Sequence, residues 1–393
     1  MTTLWTDSIY PVLISIFQHQ SSNVPHYVRF NFKKIYYLPK FCFILQYLNK
    51  VMVKLKVAIV ILNWNGKRFL EKFLPSLVKY NSPDAEIIIA DNASSDDSIA
   101  FLQSSYSNLR VIKNIENGGF AKGYNDALSQ IDAEYYVLLN SDIDVTQNWI
   151  EPIIKLMDND KTIAACQPKI LSYHNKEYFE YAGAAGGFID KLGYPFCRGR
   201  IFQSEEKDEG QYNDLTEIFW ATGACIFVRA DLYNKLGGLD NDFFAHMEEI
   251  DFCWRLKNAG YKIMYCPDSH IFHIGGGTLP KNNPRKTYLN FRNNFFLLFK
   301  NLPSNKIFPV FFIRLFLDAF AALKFLKEGH FKDFIFVAKA HFAFYFAIGK
   351  LIKKRRQFKH SNVSCIYQNL IVSDYYLKNK KIFSQLDKNS FTK

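Results

Sequence analysis

No apolar run of about 18 uncharged residues occurs in this 393-residue chain, which excludes a simple polytopic membrane protein. Cysteine is sparse and scattered, with seven residues at positions 42, 166, 197, 225, 253, 266 and 365. The number is odd and no C-x-x-C pair occurs, so neither a disulfide framework nor a zinc knuckle is expected; reduced thiols in a cytosolic compartment are. Acids are the minority charge, 37 against 49 Lys and Arg, for a formal net charge of +12. That excess suits an anionic partner such as a nucleotide, a nucleic acid or a lipid headgroup. What the chain does have is apolar mass: 49% hydrophobic residues and 38 Phe, enough for a packed core and incompatible with global disorder.

Residues 1–51 differ from the rest. Their single acid is Asp7, and the apolar runs Ile9–Phe17 and Phe41–Leu48 are too short to span a bilayer. No basic region precedes Ile9 and no small-residue cleavage site follows, against a signal peptide. The expectation is an upstream extension that the protein can do without, with Met52 as the natural start. From Lys56 the pattern is regular. Val57–Leu62 reads as a buried strand, and Phe69, Leu70, Phe73, Leu74 and Leu77 recur at helical spacing. Strands follow at Glu86–Ala90, Leu109–Lys113 and Tyr135–Leu139, with a helix over Ala121–Gln130. Such alternation predicts an α/β fold, a Rossmann-like parallel sheet with right-handed crossovers. Further on, a strand at Ala224–Val228, a helix over Glu248–Lys257 and a strand at Lys262–Cys266 complete a domain over residues 52–303.

After Pro303 the chain becomes rich in Phe. Phe308–Leu326 and Phe331–Ile352 carry charges at helical spacing, with Arg314 and Asp318 four apart on the first and Lys332, Lys339 and Lys350 sharing a face on the second. With Lys353-Lys354-Arg355-Arg356, residues 304–356 predict amphipathic helices lying on an anionic membrane surface; core-packing helices would leave the same pattern. Residues 357–393 are expected as a tail. No groove-reading motif accompanies the basic cluster, so lipid rather than nucleic acid is the expected partner.

In an open parallel sheet, ligands bind beyond the carboxyl ends of the strands. This singles out Asn63–Gly66 with Asn63 and Asn65, Asp91–Asp96, and Asn140–Asp144 with Ser141, Asp142 and Asp144. A helix cap would explain Asp91 alone, and a turn would explain Asp142 and Asp144; together at strand ends they suit a nucleotide and a divalent metal. Asn117-Gly118-Gly119-Phe120-Ala121-Lys122-Gly123 is not G-x-G-x-x-G, yet is a glycine loop opening a helix where a ligand can approach closely. Glu248, Glu249 and Asp251 start a helix, where acids also complement the dipole. The preceding Phe243-Phe244 pair would raise a carboxylate pKa toward that of a useful base. His270 and His273, just past a strand and before Gly275-Gly276-Gly277-Thr278, are candidates for metal or diphosphate contact.

Taken in order, Val60-Ile61-Leu62-Asn63-Trp64-Asn65-Gly66, Asp91-Asn92-Ala93-Ser94, Asn117-Gly118-Gly119 with Gly123 and Asn125, and Leu138-Leu139-Asn140-Ser141-Asp142 resemble the family 2 glycosyltransferases of GT-A fold. Gly223-Ala224-Cys225, Gly237-Gly238-Leu239-Asp240, Glu248–Arg255 and Phe272-His273 extend the resemblance over about Val57–Pro303, nearest the rhamnosyltransferase-like branch that builds bacterial surface polysaccharides. The resemblance implies that Asp91 contacts the nucleotide base, that Asp142 binds Mg²⁺ or Mn²⁺ on the diphosphate with Asp144 and His273 as further ligands, and that Glu249 is the catalytic base. Asp251 would orient Glu249 or pair with Arg255. Asn63, Asn65, Asn117, Gly118, Lys122, Ser141, Gly223 and Ala224 would line the donor site. The implied enzyme is an inverting hexosyltransferase on the inner face of the cell membrane. It would take a nucleotide sugar, with dTDP-rhamnose as the candidate donor, and a glycan or lipid-linked acceptor. Two departures stand out: the family's D-x-D reads Asn140-Ser141-Asp142, and its Glu-Asp pair reads Glu248-Glu249. A nucleotidyltransferase would need a glycine-rich basic loop after the first strand, which Asn63–Lys67 supplies poorly. A non-catalytic scaffold would have lost Asp142 or the acids at 248–251.

Overall fold

A computed structural model describes residues 54–275 and 284–393. The expectations for residues 1–51, for a start at Met52 and for Gly276–Thr278 fall outside the described residues. Strands β1 (Leu55–Asn63), β2 (Ala85–Asp91), β3 (Arg110–Lys113) and β4 (Ala133–Asn140) alternate with helices α1 (Lys67–Lys79), α2 (Ser98–Ser105) and α3 (Gly119–Leu128). They form the parallel half of a sheet, in the order β3-β2-β1-β4. Side chains alternate across this sheet as a two-residue period requires. Val57, Ile59 and Ile61 of β1 pack with Leu70, Leu74 and Leu77 of α1, while Ala58 and Val60 pack on the opposite face with Ala121 and Tyr124 of α3.

The chain continues through β5 (Ile143–Val145), α4 (Glu151–Asn159) and β6 (Ile163–Ser172). It then builds a second, small sheet from β7 (Gly187–Asp190), β8 (Pro195–Cys197), β9 (Arg200–Ile201) and β10 (Ser204–Glu205). After β11 (Thr216–Ile218) it returns as β12 (Cys225–Arg229), α5 (Ala230–Lys235), α6 (Glu248–Asn258) and β13 (Lys262–His273). The main sheet runs β11-β13-β6-β12-β4-β1-β2-β3, with β5 on β13. It is parallel over β3-β2-β1-β4 and mixed beyond, the arrangement a GT-A fold implies. The expected sheet, mainly parallel, reverses at β12, which is antiparallel to both β4 and β6. No helical crossover separates β6 from β12, so the strand re-enters from the carboxyl edge and must run backwards. β13 also outlasts the expected Lys262–Cys266, continuing past an irregularity between Cys266 and His270. His270 and His273 therefore lie within the strand, not beyond it.

Helices α7 (Pro284–Asn301), α8 (Ser304–Lys327) and α9 (Phe331–Arg355) follow. Residues 357–393, expected as a tail, add β14 (Ile366–Tyr367) in parallel to β7 and a short α10 (Ile371–Tyr376). The two mid-helix charges of α8 point inward: Arg314 and Asp318 pair at 3.2 Å with both side chains buried, and Arg314 also donates to Leu192 O at 3.0 Å. The outward face is apolar, including Phe308, Phe312, Phe316 and Phe320 on α8, with Phe342 and Phe346 on α9. Phe346 is 88% exposed. Of the basic cluster, Lys354 pairs with Asp240 and Asp242, and Arg355 donates to Phe299 O. Lys353 and Arg356 remain exposed. Among the described residues α9 is the helix long and apolar enough to cross a membrane, by length and composition alone.

Candidate active site

Parallel register brings the expected loops to one edge. Asn63 is opposite Asp91 on β2, and Leu62 is opposite Asn140 on β4. Because β12 runs antiparallel, its start lies at the same edge, where Ala224 O accepts Asn140 N at 3.0 Å. A sheet that reverses at one strand thus places Gly223-Ala224 beside the loop that carries Asp142.

At the β1–β2 end the side chains staple two loops together. Asp91 accepts from Asn63 Nδ2 and from Ser94 N, each at 3.1 Å. Asn65, itself at φ 50°, accepts Ser95 N at 2.7 Å. Asn63 Oδ1 is buried without a partner among the described residues. Ser141 closes this corner: a Cβ at Gly66 would sit 2.4 Å from Asn63 Oδ1 and 3.5 Å from Ser141 Oγ. Asn117 orders the glycine loop by accepting from Gly119 N and Asn92 Nδ2, both at 3.0 Å. Gly118 lies under the Lys122 stem, whose amine is occupied by Asp126 at 2.5 Å and Glu116 at 3.6 Å. Lys122 is thus held on its own helix.

Asp142 meets His273 at the end of β13, with Oδ1 at 3.2 Å from Nε2. Burial alone would raise the Asp142 pKa, but the imidazole outweighs it and holds the carboxyl below its ordinary value. Burial likewise disfavours the His273 cation, yet Glu180 and Asp142 together lift its pKa to about 10. Asp144, opposite Phe272, lines a different groove of about 510 Å³ with Lys72, Lys79, Tyr80 and Gln147. No set of three or more His, Cys, Asp or Glu side chains is arranged around a single ion position among the described residues. Of the expected trio, the structure brings Asp142 and His273 together and leaves Asp144 apart; the pair offers one oxygen and, once the imidazole gives up its proton, one nitrogen. That set fits a divalent ion that completes its shell with phosphate oxygens and water. His270 is exposed, and its carbonyl serves Thr146.

Glu249 borders a recess with Phe120, Leu138, Gly223, Tyr233, Leu239 and Phe252. A Cβ added at Gly223 would come 3.0 Å from the Phe120 ring and 3.9 Å from Glu249 Cβ, so glycine lets the ring pack closely beside Glu249. Burial lifts the Glu249 pKa to about 7. Glu248, more deeply buried, is pushed well above its ordinary value by burial and by the Glu249 charge. Of the two expectations for Asp251, orienting Glu249 or pairing with Arg255, the structure shows the pairing. Asp251 is fully buried and accepts from Arg255 at 2.9 Å, Lys300 at 2.8 Å and Asn301 at 2.8 Å. The i, i+4 pair with Arg255 is the one its spacing predicts.

Sequence reading missed the residues that hold this loop. Phe244, His246 and Met247 have φ of 64°, 70° and 72°, strained for non-glycine residues. Asn293 of α7 is fully buried and donates to the carbonyls of Phe243, Ala245 and His246. Phe244 O in turn accepts Phe120 N at 2.7 Å, and Gly119 at φ 81° leaves room for it. The available signal was Arg292-Asn293-Asn294, three consecutive polar residues directly before the apolar run 295–299.

The model of glycosyl transferase family 2 matches residues 58–237. The chain is 24% identical over 232 residues to N-acetylglucosaminyl-diphospho-decaprenol L-rhamnosyltransferase of Mycobacterium tuberculosis, covering 55% of this chain and 75% of that protein. It is 25% identical over 228 residues to rhamnosyltransferase WbbL of Escherichia coli, covering 55% and 83%. Among solved structures it is similar to GalNAc-T7 with UDP, GalNAc and Mn²⁺, at TM-score 0.51 and 15% identity. That match covers 65% of this chain and 49% of the other, so the chain spans about half that structure's length.

Proposed function

We propose that this chain, whose residues 58–237 match glycosyl transferase family 2, is a glycosyltransferase that moves a sugar from a nucleoside diphosphate to a hydroxyl of a glycan or lipid-linked saccharide, with inversion. The observation that carries this reading is Glu249, a carboxylate poised at about 7 beside Gly223. At neutral pH it is partly ionised and can accept the acceptor's hydroxyl proton as that oxygen attacks the anomeric carbon. Among the residues lining the recess it is the single carboxylate, which suits one in-line displacement.

Asp91 at the end of β2 supplies a carboxylate suited to accept from an imide N–H, as in thymine or uracil. The rhamnosyltransferase names of two relatives favour dTDP-rhamnose as donor and surface polysaccharide as product. Asp142 and His273 would hold Mg²⁺ or Mn²⁺, which when bound stabilises the departing diphosphate as a Lewis acid. The outward Phe face of α8 and α9, flanked by Lys353 and Arg356, fits the cytoplasmic surface of an anionic membrane, where a lipid-linked acceptor would lie in the same plane. A nucleotide-sugar panel, assayed for nucleoside diphosphate release with metal and with EDTA, tests the reading. One preferred donor, silenced by EDTA, is expected; release from no donor would refute it.

A further inference from the structure

Glu180 is a nearly fully buried carboxylate that no motif marks and the chemistry above does not use. It lies just beyond β6, where the chain doubles back so that Glu180 N donates to Ile170 O at 3.1 Å. Its Oε2 accepts Ala182 N at 2.5 Å, which fixes the side chain. Its Oε1 lies 3.3 Å from Nδ1 of His273, whose other ring nitrogen faces Asp142 at 3.2 Å. Gly275, at φ 70°, packs over the same carboxylate: a Cβ there would come 2.6 Å from Oε1. A carboxylate is costly to bury without a donor, and here the backbone on both sides converges to hold one against the histidine.

We propose that Glu180 is a positioning residue for the metal site, holding the His273 ring by Nδ1 so that Nε2 faces Asp142 and an arriving divalent cation. The inference rests on Asp142 and His273 being the metal donors. The two ring nitrogens diverge, so Glu180 acts through the ring and does not share the ion. A carboxylate behind the imidazole fixes its tautomer and orientation and makes it a better donor.

The test is Mn²⁺ alone titrated into the full chain, with free ion read by electron paramagnetic resonance and melting temperature read in parallel. Glu180→Gln keeps size and an acceptor for Ala182 N but loses the charge. It is expected to weaken Mn²⁺ binding roughly 10–100-fold at temperatures well below its own melt, whatever stability the buried charge also supplies. A merely structural role would move the melt and leave the affinity. Wild-type affinity in Glu180→Gln, beside a loss in Asp142→Asn, overturns the role of Glu180 alone. Equal binding by wild type and Asp142→Asn, or none by wild type, overturns the metal reading beneath it. Should Glu180→Gln fail to fold, Gly275→Ala crowds the same carboxylate from outside. It is expected to weaken binding likewise, and unchanged affinity there also overturns the proposal.

Discussion

Replacing Glu249 with glutamine keeps the shape of the side chain and removes its ability to take a proton. Positioned proton transfer contributes roughly 10²–10⁴ in rate, so turnover with the preferred donor should fall by that factor while donor affinity changes little. The burial that lifts this carboxyl from the ordinary 4.5 to about 7 adds a second signature. The wild-type rate should rise with pH through about 7, as the base ionises, and Glu249→Gln should lose that inflection. Stability carries the opposite sign. A carboxyl whose folded pKa is raised binds its proton more tightly in the native state, so the cost of ionising it is absent below about 4.5, grows toward 7 and is complete above. A shift of this size corresponds to about 3 kcal/mol. Glu249→Gln should therefore gain up to that amount above pH 7 and nothing near pH 4, read by urea unfolding at both values. Glu248→Gln is the control. If it shows the larger loss of turnover and removes the inflection, or if Glu249→Gln stays active, the base has been assigned to the wrong side chain.

Asp142→Asn should nearly abolish transfer with the melt preserved, and EDTA should do the same to wild type; full activity in either case removes the metal from the mechanism. Asp251→Asn leaves buried Arg255 and Lys300 without their shared carboxylate, so it should cost about 3–5 kcal/mol of stability; an unchanged melt with a large loss of turnover would return Asp251 to the chemistry. Lys353→Gln with Arg356→Gln should weaken binding to anionic liposomes at low salt, each charge being worth about 1 kcal/mol, whereas Lys354→Gln should chiefly lower stability by freeing Asp240 and Asp242. Equal liposome binding by all three proteins, or none by wild type, would contradict the docking of this face.

The parallel half of the fold was legible because its signals are local. The alternation in β1 and the Leu70, Leu74, Leu77 stripe of α1 each state which face is buried. Acids and amides at the ends of β1, β2 and β4 then point to one edge without knowledge of the rest. The direction of β12 was not legible, since Cys225–Arg229 is buried throughout and would read the same in either sense. The small sheet escaped because strands of two to four residues carry too little periodicity. For Asp251, local spacing revealed Arg255 but not Lys300 and Asn301, which arrive from α7. The C-terminal helices inverted the usual amphipathic logic: Arg314 and Asp318 face inward as a pair, while phenylalanines face outward. A helix on a soluble protein reads in the opposite sense, so the pattern alone did not say which face met the domain.

The configuration of the transferred sugar tests most directly the claim that Glu249 drives a single in-line displacement. Proton NMR of the first-formed product, with the donor found by the nucleotide-sugar panel, reads the anomeric coupling before any rearrangement. The account predicts a product of opposite anomeric configuration to the donor. Retention would demand a second nucleophile in a recess where Glu249 is the carboxylate present, and would contradict it.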